Sequence, residues 1–425
     1  MNRTTKRAYL SLAALALAGG AGAASAATLK IACSGLGKEL ELCKSASQEW
    51  AKSTGNAVEI VSTPNDGSER LALFQQLLSS GSSSIDVMQV DAAQVGLLAS
   101  HLLDMKPYSK GIEKQEFPSM ITNSTVDGKL LAMPWFVDAG ILYYRKDLLD
   151  KYHESVPQTW EELKSTAEKI QNGERKAGNK LMWGYVFQGR AYEGLTCDGL
   201  EFVASYGGGT IVDPSGKITI DNPNTIKAFS TMASFVGTIS PTAVLNYAEE
   251  ESRGPFQNGN AVFMRNWPYA WAASQAPDSP IKGHVGVTVL PKGGANGRNA
   301  ATLGGQELAV SKYSKNAALA ADFVLFMTGQ HVQKERAVQG SYNPTFPALY
   351  SDPEILAANP FMASLQKVFA SAVARPTSVT GAKYNQVSTA FFDALHDVLS
   401  KTDTPENAVS KLNTRLGQIS HGGAW

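Results

Sequence analysis

Cysteine and histidine are scarce in this chain, three and six among 425 residues. His101, His153, His284, His331, His396 and His421 never fall three or four apart, and no cysteine pair has metal-ligand spacing. A zinc site is therefore disfavoured and no metal is expected. There is no G-x-S-x-G elbow, no phosphate-binding G-x-x-x-x-G-K-[ST] loop and no complete dinucleotide glycine fingerprint, so no cofactor is expected and the balance tips away from an enzyme. No run of 18 apolar residues occurs, which argues against a membrane-spanning helix. Basic excess is absent too, with 38 Lys+Arg against 38 Asp+Glu, and that removes the electrostatic footprint of a nucleic-acid binder.

What is present begins with an export signature. Arg3, Lys6 and Arg7 precede an apolar run from Tyr9 to Leu17 and a small-residue stretch ending Ala24-Ser25-Ala26, which together predict a signal peptide over 1–26, cleaved after Ala26. Residue 27 is alanine rather than cysteine, so a freely diffusing product is expected rather than a lipid-anchored one. Cleavage removes three bases and no acid, leaving a slightly acidic mature chain. At about 400 residues that chain exceeds what one core usually supports, and two domains are expected. In an oxidising compartment Cys33 and Cys43, ten apart, are either a local disulfide or two small buried side chains. Cys197 sits in an apolar segment and reads as packing.

The segment Thr28–Cys33 alternates as a strand does. A helix bearing Leu40, Cys43, Ala46 and Trp50 follows, with Gly55 placed to stop it, and a second strand covers Ala57–Ser62. This strand-helix-strand unit is the building block of a parallel sheet covered by helices. Leu71, Phe74 and Leu78 mark the next helix, and Ile85–Val90 a third strand ending at Asp91. Residues just beyond strand carboxyl ends line the crevice of an open α/β sheet, so Asp91 is a site candidate by position. It is equally well placed to cap the segment after it. Thr159-Trp160-Glu161-Glu162 opens another helix as a capping box, and helices fit 224–237, 316–328 and 384–400.

Two short stretches mix aromatic and polar residues, Met133-Pro134-Trp135-Phe136-Val137-Asp138 and Met264-Arg265-Asn266-Trp267-Pro268-Tyr269-Ala270-Trp271. A sugar ring has an apolar C–H face and a rim of hydroxyls, so its site needs an aromatic plate surrounded by carboxylates, amides or guanidinium groups. Both stretches supply that mixture, and both would also serve as core.

At these residues the chain resembles the solute-binding proteins of ABC sugar importers, maltose-binding-protein-like, and within them the trehalose/maltose/sucrose-binding group. The resemblance runs through PWFVDAGILYYRKDLL from Pro134, PQTWEEL from Pro157, FQNGNAVFMRNWPYAW from Phe256, VGVTVLPKG from Val285 and LGGQELAVSKYS from Leu303, in that order. It implies a two-lobe α/β fold, each lobe a mainly parallel sheet flanked by helices, with a sugar closed between them. Crossings are expected near Pro134–Asp138, near Thr288–Lys292 and after Phe326. Lobe one is then 27–137 plus 290–330, and lobe two 138–289 plus 331–425. The resemblance also implies a non-enzymatic, monomeric periplasmic protein that hands a small neutral sugar to membrane permease subunits.

Carried over position by position, the family pattern implies ligand contacts from Glu39, Arg70 and Asp91 in lobe one and from Asp138, Glu251, Trp267, Tyr269 and Arg375 in lobe two. Gly304 and Gly305 would let backbone amides approach the ligand. Glu41 competes with Glu39, and Glu249 and Glu250 compete with Glu251. Where members of the group often carry a second tryptophan after the double glycine, this chain has Gln306, which hydrogen-bonds well and stacks poorly. That leaves room for a monosaccharide or polyol. Two rival readings share these residues: a carbohydrate-active enzyme using Asp91, Asp138 and Glu251 as paired carboxylates, and a binder of charged sugars using Arg70, Arg265 or Arg375.

Overall fold

The computed structural model describes residues 26–33, 37–64 and 66–425; apart from Ala26, the expected signal peptide lies outside the described residues. Its strands are β1 Thr28–Ala32, β2 Ala57–Ile60, β3 Val87–Asp91, the hairpin arms β4 Thr125–Val126 and β5 Lys129–Leu130, β6 Met133–Ala139, β7 Ile141–Arg145, β8 Trp183–Val186, β9 Ala261–Asn266, β10 Val285–Thr288 and β11 Leu303–Val310.

Local sequence accounts for the first elements. Leu29 and Ile31 of β1 are fully buried, and the helix Gly37–Thr54 buries Leu42, Cys43, Ala46, Ser47 and Trp50 along one stripe. It stops at Gly55, whose φ of 74° suits a left-handed C′ residue. A disulfide joins Cys33, just after β1, to Cys43 in this helix, while Cys197 is free and buried. Asp66 caps the helix Gly67–Ser79 by accepting from the amides of Ser68 and Glu69. Thr159 caps Trp160–Lys176 in the same way through the Glu162 amide, 3.1 Å, and the Glu162 carboxylate reaches back to the Gln158 amide, 2.7 Å.

Two larger sheets form. The first has the order β2-β1-β3-β11-β6 and the second β10-β7-β9-β8. In the first, β1 runs parallel to β2 and β3, whereas β11 is antiparallel to both its neighbours. In the second only β8 and β9 are parallel, and β7 is antiparallel on both sides. The two-lobe α/β architecture is as expected, but the sheets are mixed rather than mainly parallel, because the strands that return from the other lobe enter in the opposite sense. Separate apolar clusters fill the lobes, one around Trp50, Phe323 and Val332 and another around Trp160, Phe202, Phe229 and Phe391. In the latter Trp160 stacks on Phe202 with ring centroids 3.9 Å apart.

The chain changes lobe later at each crossing than sequence suggests. β6 stays in the first sheet through Ala139, and Gly140 alone separates it from β7. A Cβ on Gly140 would sit 2.1 Å from Glu201 Oε1 and 2.6 Å from Arg265 Nη2, so a side chain in this passage would displace the buried Arg265–Glu201 pair. The stretch after β10 still hydrogen-bonds to the second lobe, where Lys292 O accepts from Trp160 N and Arg298 N donates to Ser205 O. Entry into the first lobe waits until Thr302 and Leu303. The helix Gln330–Gly340, expected in lobe two, packs instead on the first lobe, with Val332 joining the Trp50 cluster and Ala337 meeting Phe346 and Ile355. The return is made across the helix Met362–Ser371, whose Leu365 already belongs to the second core, and Val373 beyond it bonds with Ala301 and Leu303. It leads to the helices Tyr384–Leu399 and Pro405–Ile419, whose Phe391 and Leu412 belong to the second core.

Candidate functional site

Between the lobes lies a cavity of about 650 Å³. Glu39, Arg70, Asp91, Asp138, Trp267, Tyr269, Gly304, Gly305, Gln306 and Arg375 all line it.

Asp91 ends β3 and lines the cavity, and it does not cap the short helix Val95–Leu98, whose N-cap is Gln94. Its Oδ1 accepts from the Ala93 amide, 2.7 Å, and is 2.8 Å from Arg375 Nη2. The other arm of Arg375 reaches Glu193 Oε1 at 2.8 Å, so one buried guanidinium ties the end of the first sheet to the second lobe. Glu193 also accepts from Ser388 Oγ, 2.6 Å, and burial pushes its pKa up against the pull of Arg375. Gln306 is held within the first lobe, accepting from Arg70 Nη2 at 3.4 Å and donating to Asp91 at 3.5 Å. The strand register shifts between Gln306 and Glu307, turning the amide toward this network. Burial lowers the Arg70 pKa, opposed by Glu39, Asp91, Asp66 and Glu249.

On the second lobe, the Tyr143 hydroxyl of β7 donates to the carbonyl oxygens of Trp267 and Pro268, 2.8 and 3.0 Å. This pins the turn after β9 that carries the aromatic pair. The Trp267 indole lies on the Arg265 guanidinium at 4.0 Å, and its Nε1 donates to Glu249 at 3.3 Å. Arg265 is in turn fixed by Asp198, 3.0 Å, and by Glu201, 2.9 Å. The Tyr269 hydroxyl donates to Glu250, 2.6 Å, and its ring lies parallel to Tyr342 from the first lobe, centroids 6.2 Å apart at 12°.

Both glycines are also required by local packing. A Cβ at Gly304 would come 3.1 Å from the Trp267 ring, so the missing side chain admits the indole. Gly305 has φ +134° and lies where a Cβ would be 2.4 Å from Phe136 O, a demand of the strand itself.

Among the acids, Glu39 lines the cavity and accepts from Gln89 Nε2, 2.9 Å, while Glu41 pairs with Lys38 at 3.4 Å and is 70% exposed. Asp138, expected as a lobe-two contact, ends its strand in the first sheet and accepts from Asn343 Nδ2 at 3.4 Å. Burial raises its pKa well above the usual range, and Glu39 adds to the rise. Glu251 is not brought to the cavity: it is exposed, and its carboxylate accepts from the Ala248 amide at 3.1 Å as part of the helix start. Glu249 and Glu250, two residues and one residue earlier, face the cavity in its place. Sequence reasoning also passed over Glu193, Tyr192 and Tyr342, all lining residues.

Residues 42–334 match the model of the bacterial extracellular solute-binding protein family. A probable ABC transporter-binding protein of Deinococcus radiodurans is 52% identical over 404 residues, which is 95% of this chain and 96% of that one. The chain belongs to the bacterial extracellular solute-binding protein family. Among solved structures, maltose-bound MalE3 of T. maritima superposes with a TM-score of 0.88 at 38% identity, covering 93% of this chain and all of that one. The galactooligosaccharide-binding protein of Bacillus subtilis is 24% identical over 345 residues, 79% of this chain and 77% of its own.

In this solute-binding protein the cavity offers two indoles, Trp267 and Trp271, a parallel tyrosine pair and a rim of carboxylate and guanidinium groups. Its cations are largely matched within the protein: Arg375 by two carboxylates and Arg253 by Glu250, 3.1 Å. Among the described residues, Glu49, His331 and Glu335 form a cluster of metal-ligand spacing, and none of the three lines the cavity.

Proposed function

We propose that this protein is the exported, periplasmic substrate-binding component of an ABC sugar importer, taking a small neutral sugar, a disaccharide such as trehalose, maltose or sucrose, between its lobes. The observation that carries the reading is the Trp267 indole set among the lining carboxylates Asp91, Asp138 and Glu249 in a cavity of about 650 Å³. One sugar face rests on the indole while hydroxyls donate to carboxylates at the rim. Gln306, tied to Arg70 and Asp91, gives the second ring a polar wall instead of a second plate.

Ligand that touches both lobes favours the closed form by its differential affinity, and the permease subunits read the closed shape. The chain acts as a monomer and turns nothing over. Pairing of Arg375 and Arg265 with carboxylates argues against an anionic sugar. Joining Asp91 and Glu193 through one guanidinium argues against their use as acid and nucleophile.

A thermal-shift screen over trehalose, maltose, sucrose, their monosaccharides and polyols, with product analysis, tests the reading. The expected result is a raised melting temperature with at least one neutral disaccharide and no product. Release of product would favour an enzyme, and a shift confined to charged sugars would refute the neutral-sugar reading.

A further inference from the structure

Arg336 is 1% exposed, on the helix Gln330–Gly340 behind the cavity and outside its lining. Its guanidinium is boxed by rings, 3.7 Å from Trp135, 4.4 Å from Tyr342 and 5.1 Å from Phe136. None of its three nitrogens has a hydrogen-bond partner. A buried cation so placed is costly, because cation–π contacts offset only part of the lost hydration. Its ion pair is with Glu39, Nη2 to Oε1 3.8 Å, and it also attracts Asp138.

Glu39 and Asp138 both line the cavity and repel one another. Burial already pushes the Asp138 carboxyl toward its protonated form, so ionising it beside Glu39 in a poorly hydrated space needs a counter-charge. On the cavity side that place is reserved for solute, so the counter-charge has to come from the protein side. Arg265 contributes from β9, but it is already committed to Asp198 and Glu201. Among the described residues, the carboxylates acting on Arg336 are these two.

We infer that Arg336 is a positioning residue of the cleft, a buried counter-charge that holds the carboxylates of Glu39 and Asp138 in the cavity wall from behind. The rings keep water and other acceptors away from the guanidinium, so its field is directed at these two groups rather than spent on a local hydrogen bond. Two of the boxing contacts also couple it to the wall itself, since Phe136 and Tyr342 line the cavity and pack edge to face at 4.9 Å. The inference deepens the solute-site reading by naming what keeps two acceptors available to hydroxyl donors.

The groups acting on Asp138 are Glu39 from the first helix, Arg336, Arg265 from β9 and Asn343, and it acts in turn on Tyr143, Tyr342 and Tyr350. The test uses ligand-free protein with 13C-labelled aspartate, the Asp138 signal being assigned by its loss in Asp138→Asn. In Arg336→Met the Asp138 carboxyl should titrate about one pH unit or more above wild type, and Arg336→Lys should restore part of the difference. An unchanged titration in folded Arg336→Met overturns the inference. If that variant does not fold, the double variant Glu39→Gln, Asp138→Asn decides: loss of both counter-charges should lower the melting temperature while Arg336 is kept, and an equal or higher one overturns the inference. Neither measurement uses a sugar, so a chain that bound none would refute the proposed function and leave this result standing.

Discussion

The guanidinium of Arg265 lies 4.0 Å beneath the indole of Trp267, and a Cβ at Gly304 would press on that ring at 3.1 Å. The plate on which a sugar would rest is thus held by a buried cation of its own lobe and received by a glycine of the opposite sheet.

Trp267→Ala removes the plate without opening either core, because the indole is outside both apolar clusters. Affinity for the sugar chosen by the thermal-shift screen should fall at least tenfold, about 1.4 kcal/mol, with the melting temperature of ligand-free protein little changed. Calorimetry showing equal affinity would remove Trp267 from the site.

Arg375→Ala should act on stability first. It leaves Asp91 and Glu193 facing each other without the guanidinium that now contacts each at 2.8 Å, and breaking a buried pair in this way costs about 3–5 kcal/mol. Chemical denaturation at neutral pH measures it. A loss below about 1 kcal/mol would mean that water already screens the pair.

The three consecutive acids separate by role. Glu249→Gln alters the acceptor of the Trp267 indole N–H and should weaken sugar binding by roughly 1 kcal/mol, about fivefold. Glu251→Ala removes a helix-start contact and should lower stability by about 0.5–1 kcal/mol with affinity unchanged. The opposite pattern would restore Glu251 to the site.

Two buried acids outside the cleft predict the alkaline behaviour. Glu307 accepts from Ser124 at 2.7 Å and Glu116 from Thr345 at 3.0 Å, and each leaves its other oxygen unpartnered. Burial pushes their pKa values up to about 8 and about 9. The folded protein therefore keeps protons that the unfolded chain releases near pH 4.3. This contribution to stability is complete below about pH 4 and is lost as pH rises toward 8 and 9. Glu307→Gln should flatten the fall in melting temperature between pH 5 and pH 9, and an unaltered slope would contradict the assignment.

Much of this was legible from the chain. The β1 alternation, the Thr159 cap and the placing of Asp91 at a strand end depend on neighbours in sequence, and the structure keeps them. The lobe of Gln330–Gly340 was not legible, because that segment has no apolar stripe and its anchor is a buried arginine among rings contributed by residues about 200 positions earlier. Glu249, Glu250 and Glu251 fan around one helix start, and only the packing of that helix tells which face the cavity. Glu193 begins a helix buried along its whole length, where an acid reads as an anomaly until Arg375 is placed beside it. The mixed sheets followed from crossings at Gly140 and Thr302, set by contacts with Glu201 that join residues far apart in sequence.

The most direct measurement is a calorimetric titration of the purified mature chain with maltose, trehalose and sucrose, beside Trp267→Ala. A saturable heat with one sugar per chain for at least one of the three, lost or weakened at least tenfold in the variant, is the predicted result. No binding of any of them by folded wild-type protein, or binding untouched by the loss of the indole, would contradict a neutral sugar held against Trp267 between the lobes.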